Sequence, residues 1–298
     1  MRRYGMLPRD ESLSLLRLLV EAGADEAVVE TPVNCFEKSA SPLEGEAGAK
    51  RRVGGIASIA PSPPTRSPSA RDARADKSST GAFVLPPSTL KGGGEQSSIS
   101  NAREIALACQ TLDELKHALE NFTGCELKRL AKSTVFARGN PSARIMFIGE
   151  APGRDEDEQG LPFVGRAGQL LDRMLAAANL DQTKVYITNV LNWRPPQNRD
   201  PTPEEAATCL PFLRRHIELV GPEILVLLGA VAVRHVLGLT EGIMRLRGNW
   251  QIYQSGTRAI PVMPTLHPAY LLRQPSSKRF AWRDMLAIIE KARALNIV

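Results

Sequence analysis

Three stretches of this sequence carry residue types that can do chemistry, and each lies where an apolar run ends. The first is GEAPGRDEDEQGLPFVGRAGQLLD, Gly149 to Asp172. Glu150 can poise a water or stabilise positive charge on a sugar; it can equally be a plain surface carboxylate. Phe163 stands in the loop LPFVG, where a ring can form a stacking wall or plug a core. The second stretch is NVLNWRPPQNRDPTPEE, Asn189 to Glu205. The Asn189 amide has both a donor and an acceptor, so it can read a pyrimidine edge or close an Asx turn. Arg194 and Arg199 can contact phosphates, or pair with the acidic residues after Thr202. The third is LHPAYLLRQPSSKR, Leu266 to Arg279. Pro268 holds His267 extended, and a ring aimed off a strand end can donate to a developing oxyanion. Leu271, Leu272 and Arg273 can form a wedge into a base stack, with Lys278 and Arg279 on phosphates.

Two other readings of the first stretch fail. Gly149 and Gly153 lack dinucleotide spacing, and Pro152 intervenes. Asp155, Glu156, Asp157 and Glu158 are adjacent, whereas hard-metal ligands are usually spread so that they converge; the run reads as a solvated loop. No metal site is expected.

The elements that must position these residues follow from periodicity. ARIMFIG (143–149), VYITNV (185–190), EILVLL (223–228) and the residues 260–266 are short apolar runs that read as buried strands. Between them lie helical patterns at about 165–180, 202–220, 230–237 and 280–295. Pro203, Glu204 and Glu205 mark a helix start, as do Thr111 and Glu114 ahead of LDELKHAL. Strands alternating with helices, each strand continuously apolar, imply an α/β fold with four parallel strands covered on both faces. Ligands in such folds bind beyond the carboxyl ends of the strands, which is where Glu150, Asn189 and His267 fall.

Composition divides the 298-residue chain. Residues 1–36 hold ESLSLLRLLVEA (Glu11–Ala22), a short amphipathic helix expected to fold only against something. Residues 37–100 are rich in Ser, Pro, Gly, Ala and Arg, and read as a disordered linker. Residues 101–298 hold the dense apolar patterning and form the folded domain that carries the three stretches. The balance of 38 Lys+Arg against 32 Asp+Glu permits a nucleic-acid partner without demanding one. No apolar run is long enough to span a membrane, the start does not read as a signal peptide, and four cysteines fit a reducing compartment. The expectation is a monomeric cytoplasmic protein.

Taken together, the three stretches resemble the family 4 uracil-DNA glycosylases. The first is similar to that family's GEAPGxxED…PFVG…LLD pattern, the second to its N-V…R-P-P-x-N-R segment, and the third to its HP…LLR loop. The resemblance covers about Asn121 to Asn296. It implies a three-layer α/β/α domain that flips deoxyuridine out of DNA and hydrolyses its N-glycosidic bond. It further implies that Glu150 and Ala151 shape the catalytic end, Phe163 stacks on uracil, Asn189 binds its edge, and His267 stabilises the departing anion. Other branches of the superfamily place an acid at the position of Ala151. Its absence leaves the handling of water open among Glu150, Glu156 and Asn198, with Glu150 the first choice.

The chain departs from the family in one respect. The family holds a [4Fe–4S] cluster with a CxxC pair, a cysteine before Arg-Pro-Pro and a fourth in the next helix. Cys125 and Cys209 match, but Phe122 and Trp193 stand at the other two positions, so no cluster is expected. The rival reading is a non-catalytic DNA-binding or polymerase-associated module of the same fold.

Overall fold

Four apolar runs form the centre of one sheet: β2 (Ile145–Gly149), β3 (Val185–Asn189), β4 (Ile224–Leu228) and β6 (Arg258–Thr265). They lie parallel in the order β3-β2-β4-β6. The first three are buried at every residue, which is why their sequences run apolar without alternation. The computed structural model describes residues 93–298. The helix expected at Glu11–Ala22, and the linker as far as residue 92, lie outside the described residues.

Two edge strands enlarge the expected four-stranded parallel sheet to six, mixed in direction. β1 (Arg138–Gly139) pairs antiparallel with β3, and β5 (Gln251–Ser255) with β6. At two residues β1 is too short to show a pattern, and β5 alternates half-buried with exposed positions. The expected core is correct; the edges were not legible.

Helices cover both faces. On one side α1 (Gly93–Ala108), α2 (Leu112–Asn121), α6 (Pro203–Val220) and α7 (Ala230–Leu237) meet Met146, Ile148, Tyr186, Leu225 and Leu227. On the other, α5 (Arg166–Ala177) and α10 (Lys278–Ala294) meet Ile145, Phe147, Val185, Val226 and Met263. Successive strand residues thus feed opposite cores, making three layers. Thr202 caps α6 as its sequence predicts, accepting from the Glu205 N–H while Glu205 accepts from the Thr202 N–H. Shorter helices complete the domain: α3 (Glu126–Leu130), α4 (Arg154–Gln159), α8 (Ile243–Leu246) and α9 (Pro268–Arg273).

One boundary needs correction. Residues 93–100, assigned by composition to the linker, begin helix α1, which packs on α6. Its buried side comes from Ala102 and Ala106, one turn apart, with Ile105 packed beside them. Small residues bury a face without the large apolar stripe that composition seeks.

Candidate active site

Strand order places the first two site residues together. The chain leaves β2 for β3 on one side, then crosses to β4 on the other, so a crevice opens where the order reverses. Gly149 pairs directly with Asn189, and the ladder continues past the strand ends through Val190 N–H to Gly149 O and Leu191 N–H to Glu150 O, both 3.0 Å. Asn189 is buried, and its Oδ1 has no hydrogen-bond partner. A buried amide oxygen left bare costs about 1–3 kcal/mol, so an orphan facing a cleft is a place for a ligand's N–H. Gly149 is obligatory here, because a Cβ would stand 2.5 Å from the Phe163 ring and press on the Asn189 amide.

Phe163 owes its position to backbone geometry that its sequence does not advertise. Its φ is 57°, in the left-handed region, and the residue is buried. Gly168 permits this, since a Cβ there would fall on the Phe163 carbonyl. The acidic run DEDE, expected as a solvated loop, instead lies within α4 and organises the surroundings. Glu156 accepts from the N–H groups of Gly153, Val164 and Gly165 at 2.9–3.0 Å. Buried Asp157 accepts from the Lys132 and Ser133 N–H groups. The run was read as solvated, which holds for the exposed Asp155 and Glu158, but the Glu156 and Asp157 carboxylates are tied inward to backbone donors.

His267 follows β6 and caps α9. Its Nδ1 accepts from the Ala269 N–H at 3.1 Å, which leaves the proton on Nε2 as a donor. Burial, helped by the Arg273 charge, lowers its pKa to about 4, so the ring is neutral at physiological pH. Gly229, at the end of β4 with φ 93°, leaves room for it: a Cβ would lie 3.0 Å from the His267 Cβ. The Phe163 and His267 ring centroids are 5.6 Å apart.

Glu150 behaves differently from an ordinary carboxylate. Burial and the nearby Asp200 charge raise its pKa to about 7, against a smaller opposing pull from Arg234. Glu150, Ala151, Glu156, Phe163, Asn189, Asn198 and His267 line one cavity of about 390 Å³. That is within the range of small-ligand pockets, roughly 300–1,000 Å³. Pro195, Asp200 and Tyr270 also line it, none of which the sequence had marked.

The expected DNA-contacting residues divide. Arg273 and Arg199 reach the cavity rim, but Arg199 is held bidentately by Glu205 at 2.6 and 2.8 Å, the blander of its two readings. Arg194 donates to Asn198 Oδ1 at 2.7 Å. Leu271 must be corrected: it is fully buried in the second core, because one turn of α9 carries it inward with Pro268. It cannot belong to an exposed wedge. Leu272 and Lys278 are half-buried and Arg279 is exposed, its guanidinium 4.8 Å from the Phe280 ring centroid.

The residues at the family's cluster position do not fit a four-thiolate group. Phe122 and Trp193 are buried with ring centroids 6.4 Å apart, and Phe212 packs edge-on to Phe122 at 5.0 Å. The Trp193 indole donates to Thr134 Oγ1 at 3.0 Å. Cys125 and Cys209 are buried beside each other in this apolar packing.

Fold and cleft define an α/β protein whose pocket sits at the carboxyl ends of a parallel sheet. Residues 136–286 match the uracil DNA glycosylase superfamily, and the chain belongs to it. A type-4 uracil-DNA glycosylase of Thermotoga maritima is 40% identical over 62% of this chain and 94% of its own length. Another from Archaeoglobus fulgidus is 41% identical over 56% of this chain and 85% of its own. A third, from Sulfurisphaera tokodaii, is 36% identical over 61% and 85% respectively.

Proposed function

We propose that this protein is a DNA-repair glycosylase that draws deoxyuridine out of DNA into this cleft and hydrolyses its N-glycosidic bond, leaving an abasic site. The observation that carries the reading is the buried, unpartnered Oδ1 of Asn189 in one cavity with a stacking ring and a neutral imidazole donor. Uracil offers N3–H to such an oxygen and O4 to the amide nitrogen, while Phe163 covers its face. As the C1′–N1 bond breaks, its electron pair passes to the base, and His267 Nε2–H donates to the resulting anion. A water adds to the cationic sugar and gives its proton to Glu150, poised near neutrality. Glu156 and Asn198 are less free for that task, since their oxygens already accept from backbone N–H groups and from Arg194. They act as positioning residues. Glu156 fixes the Phe163 loop, and Asn198 fixes Arg194 near the strand-end loop.

The chemistry runs without an iron–sulfur cluster, the Phe122–Trp193 packing supporting the loop that a cluster would otherwise brace. Arg273, Lys278 and Arg279 contact phosphates. Among the described residues no helix is long and apolar enough to cross a membrane. The test is a fluorescein-labelled, uracil-containing oligonucleotide incubated with the protein in EDTA and then treated with alkali. Strand scission at uracil is expected; binding without scission would favour the non-catalytic module.

A further inference from the structure

We propose that Asp200 is a second carboxylate of the site, a positioning residue that acts through Glu150 by holding a bare negative charge in the same cleft. The inference rests on the reading of Glu150 as the group that handles water. Both residues line the cavity, Glu150 at the end of β2 and Asp200 on the loop entering α6.

The other charged and titratable groups facing Glu150 are each committed elsewhere or act in the opposite sense. Glu156, from α4, is wrapped by three backbone N–H groups. Arg199, next to Asp200 in sequence, turns its guanidinium to Glu205 and gives Asp200 only a hydrogen bond to the backbone carbonyl. His267 is neutral, and Arg273 stands at the rim on α9. Arg234, on α7, favours the ionised form of Glu150. Among the described residues the Asp200 carboxylate forms no ion pair; it is exposed, so solvent alone screens its charge.

A like charge on the exposed side of the cleft, though weakened by solvent, disfavours ionisation of the half-buried Glu150. Burial does most to keep Glu150 basic enough to accept a proton from water near neutral pH, and the Asp200 charge adds to it. The pairing of Arg199 with Glu205 is what leaves Asp200 uncovered. That makes the ion pair at the start of α6 part of the same device.

The test is the pH dependence of single-turnover uracil excision by the full chain, under saturating enzyme, between pH 5 and 9. Wild type, Asp200→Asn, Asp200→Glu and Glu150→Gln are compared, with thermal unfolding confirming that each is folded. The expected result has three parts. The rate of the wild type rises with pH through Glu150, Asp200→Asn moves that midpoint to lower pH, and Asp200→Glu restores it. Glu150→Gln removes the rise altogether. An unmoved midpoint in Asp200→Asn, with the rise still lost in Glu150→Gln, overturns the role of Asp200 alone. A rise that survives in Glu150→Gln overturns the role of Glu150, and this inference with it.

Discussion

Replacing His267 separates its proposed catalytic role from local structure, because the two ring nitrogens face different tasks. Nε2 is left to donate into the cleft, while Nδ1 caps α9 through the Ala269 N–H. Losing one preorganised oxyanion donor typically costs ~3 kcal/mol, or about 10²-fold in rate. Losing an N-cap typically costs ~1 kcal/mol of stability. His267→Ala removes both. His267→Asn retains a capping oxygen on a shorter side chain that cannot reach as far into the cleft. Single-turnover excision under saturating enzyme should therefore slow by about 10²-fold in both variants, with DNA binding much less affected. Thermal unfolding should show a loss in His267→Ala that His267→Asn largely repairs. Because the folded pKa is about 4, below the ordinary 6.5, the ring is neutral across pH 5.5–9 and adds no inflection to the rate there. The same depression means that its contribution to stability is complete above pH 6.5 and is lost as pH falls from there toward 4. A wild-type rate in His267→Ala would refute the donor role. A rate restored in His267→Asn would show that only the cap matters.

Asn189→Ala should weaken uracil recognition and slow excision together, read as a higher half-saturation and a lower limiting single-turnover rate; loss of neither would remove Asn189 from the site. Cys125→Ala with Cys209→Ala should cost about 1 kcal/mol of stability each through lost packing, with excision unchanged. An inactive but folded double variant would contradict this, and purified wild-type protein should carry no iron or acid-labile sulfide, stoichiometric amounts of which would overturn the reading of the cluster position. A chain starting at residue 91 should fold and excise uracil, whereas one starting at Asn101 cuts α1 in half and should unfold at lower temperature. Equal melting temperatures for the two would show that the first half of α1 contributes nothing.

The four central strands were legible because burial on both faces writes itself as an unbroken apolar run. Asn189 and His267 were legible because a polar residue directly after such a run must lie at a strand end. What escaped notice depended on tertiary placement. Asp200 lies five residues beyond Pro195 in a stretch with no periodicity, and only the folded chain brings it to the cavity that Glu150 lines. Leu271 was misread because a leucine pair beside Arg273 looks like a protruding wedge, whereas a six-residue helix turns one leucine inward. Glu156 and Asp157 were misread because a run of carboxylates signals solvent until backbone donors are found to meet it. Glycines were informative in an unexpected way: Gly149 and Gly168 matter less for their own dihedrals than for the Asn189 amide and the Phe163 backbone that occupy their missing Cβ space.

The cleft collects several of the costly local choices in this domain. Asn189 keeps a buried oxygen without a partner, Phe163 holds a left-handed backbone, and Glu150 is an acid whose charge is resisted. Each is unfavourable in isolation, by about 1–3 kcal/mol for the first two kinds. Each is also held in place by rigid neighbours: the β2–β3 ladder under Asn189, the three N–H bonds of Glu156 beside Phe163, and the Gly229 gap beside His267. A packed core relieves such costs, whereas a binding site retains them until a substrate does so. In the proposed reaction uracil relieves the first directly, by offering an N–H to the bare oxygen. There the cationic sugar relieves the third, because a developing positive charge favours the ionised form of Glu150. Strain and orphaned polarity at one end of the sheet are therefore what the proposed function draws on, and the buried Phe122–Trp193 packing is its proposed support.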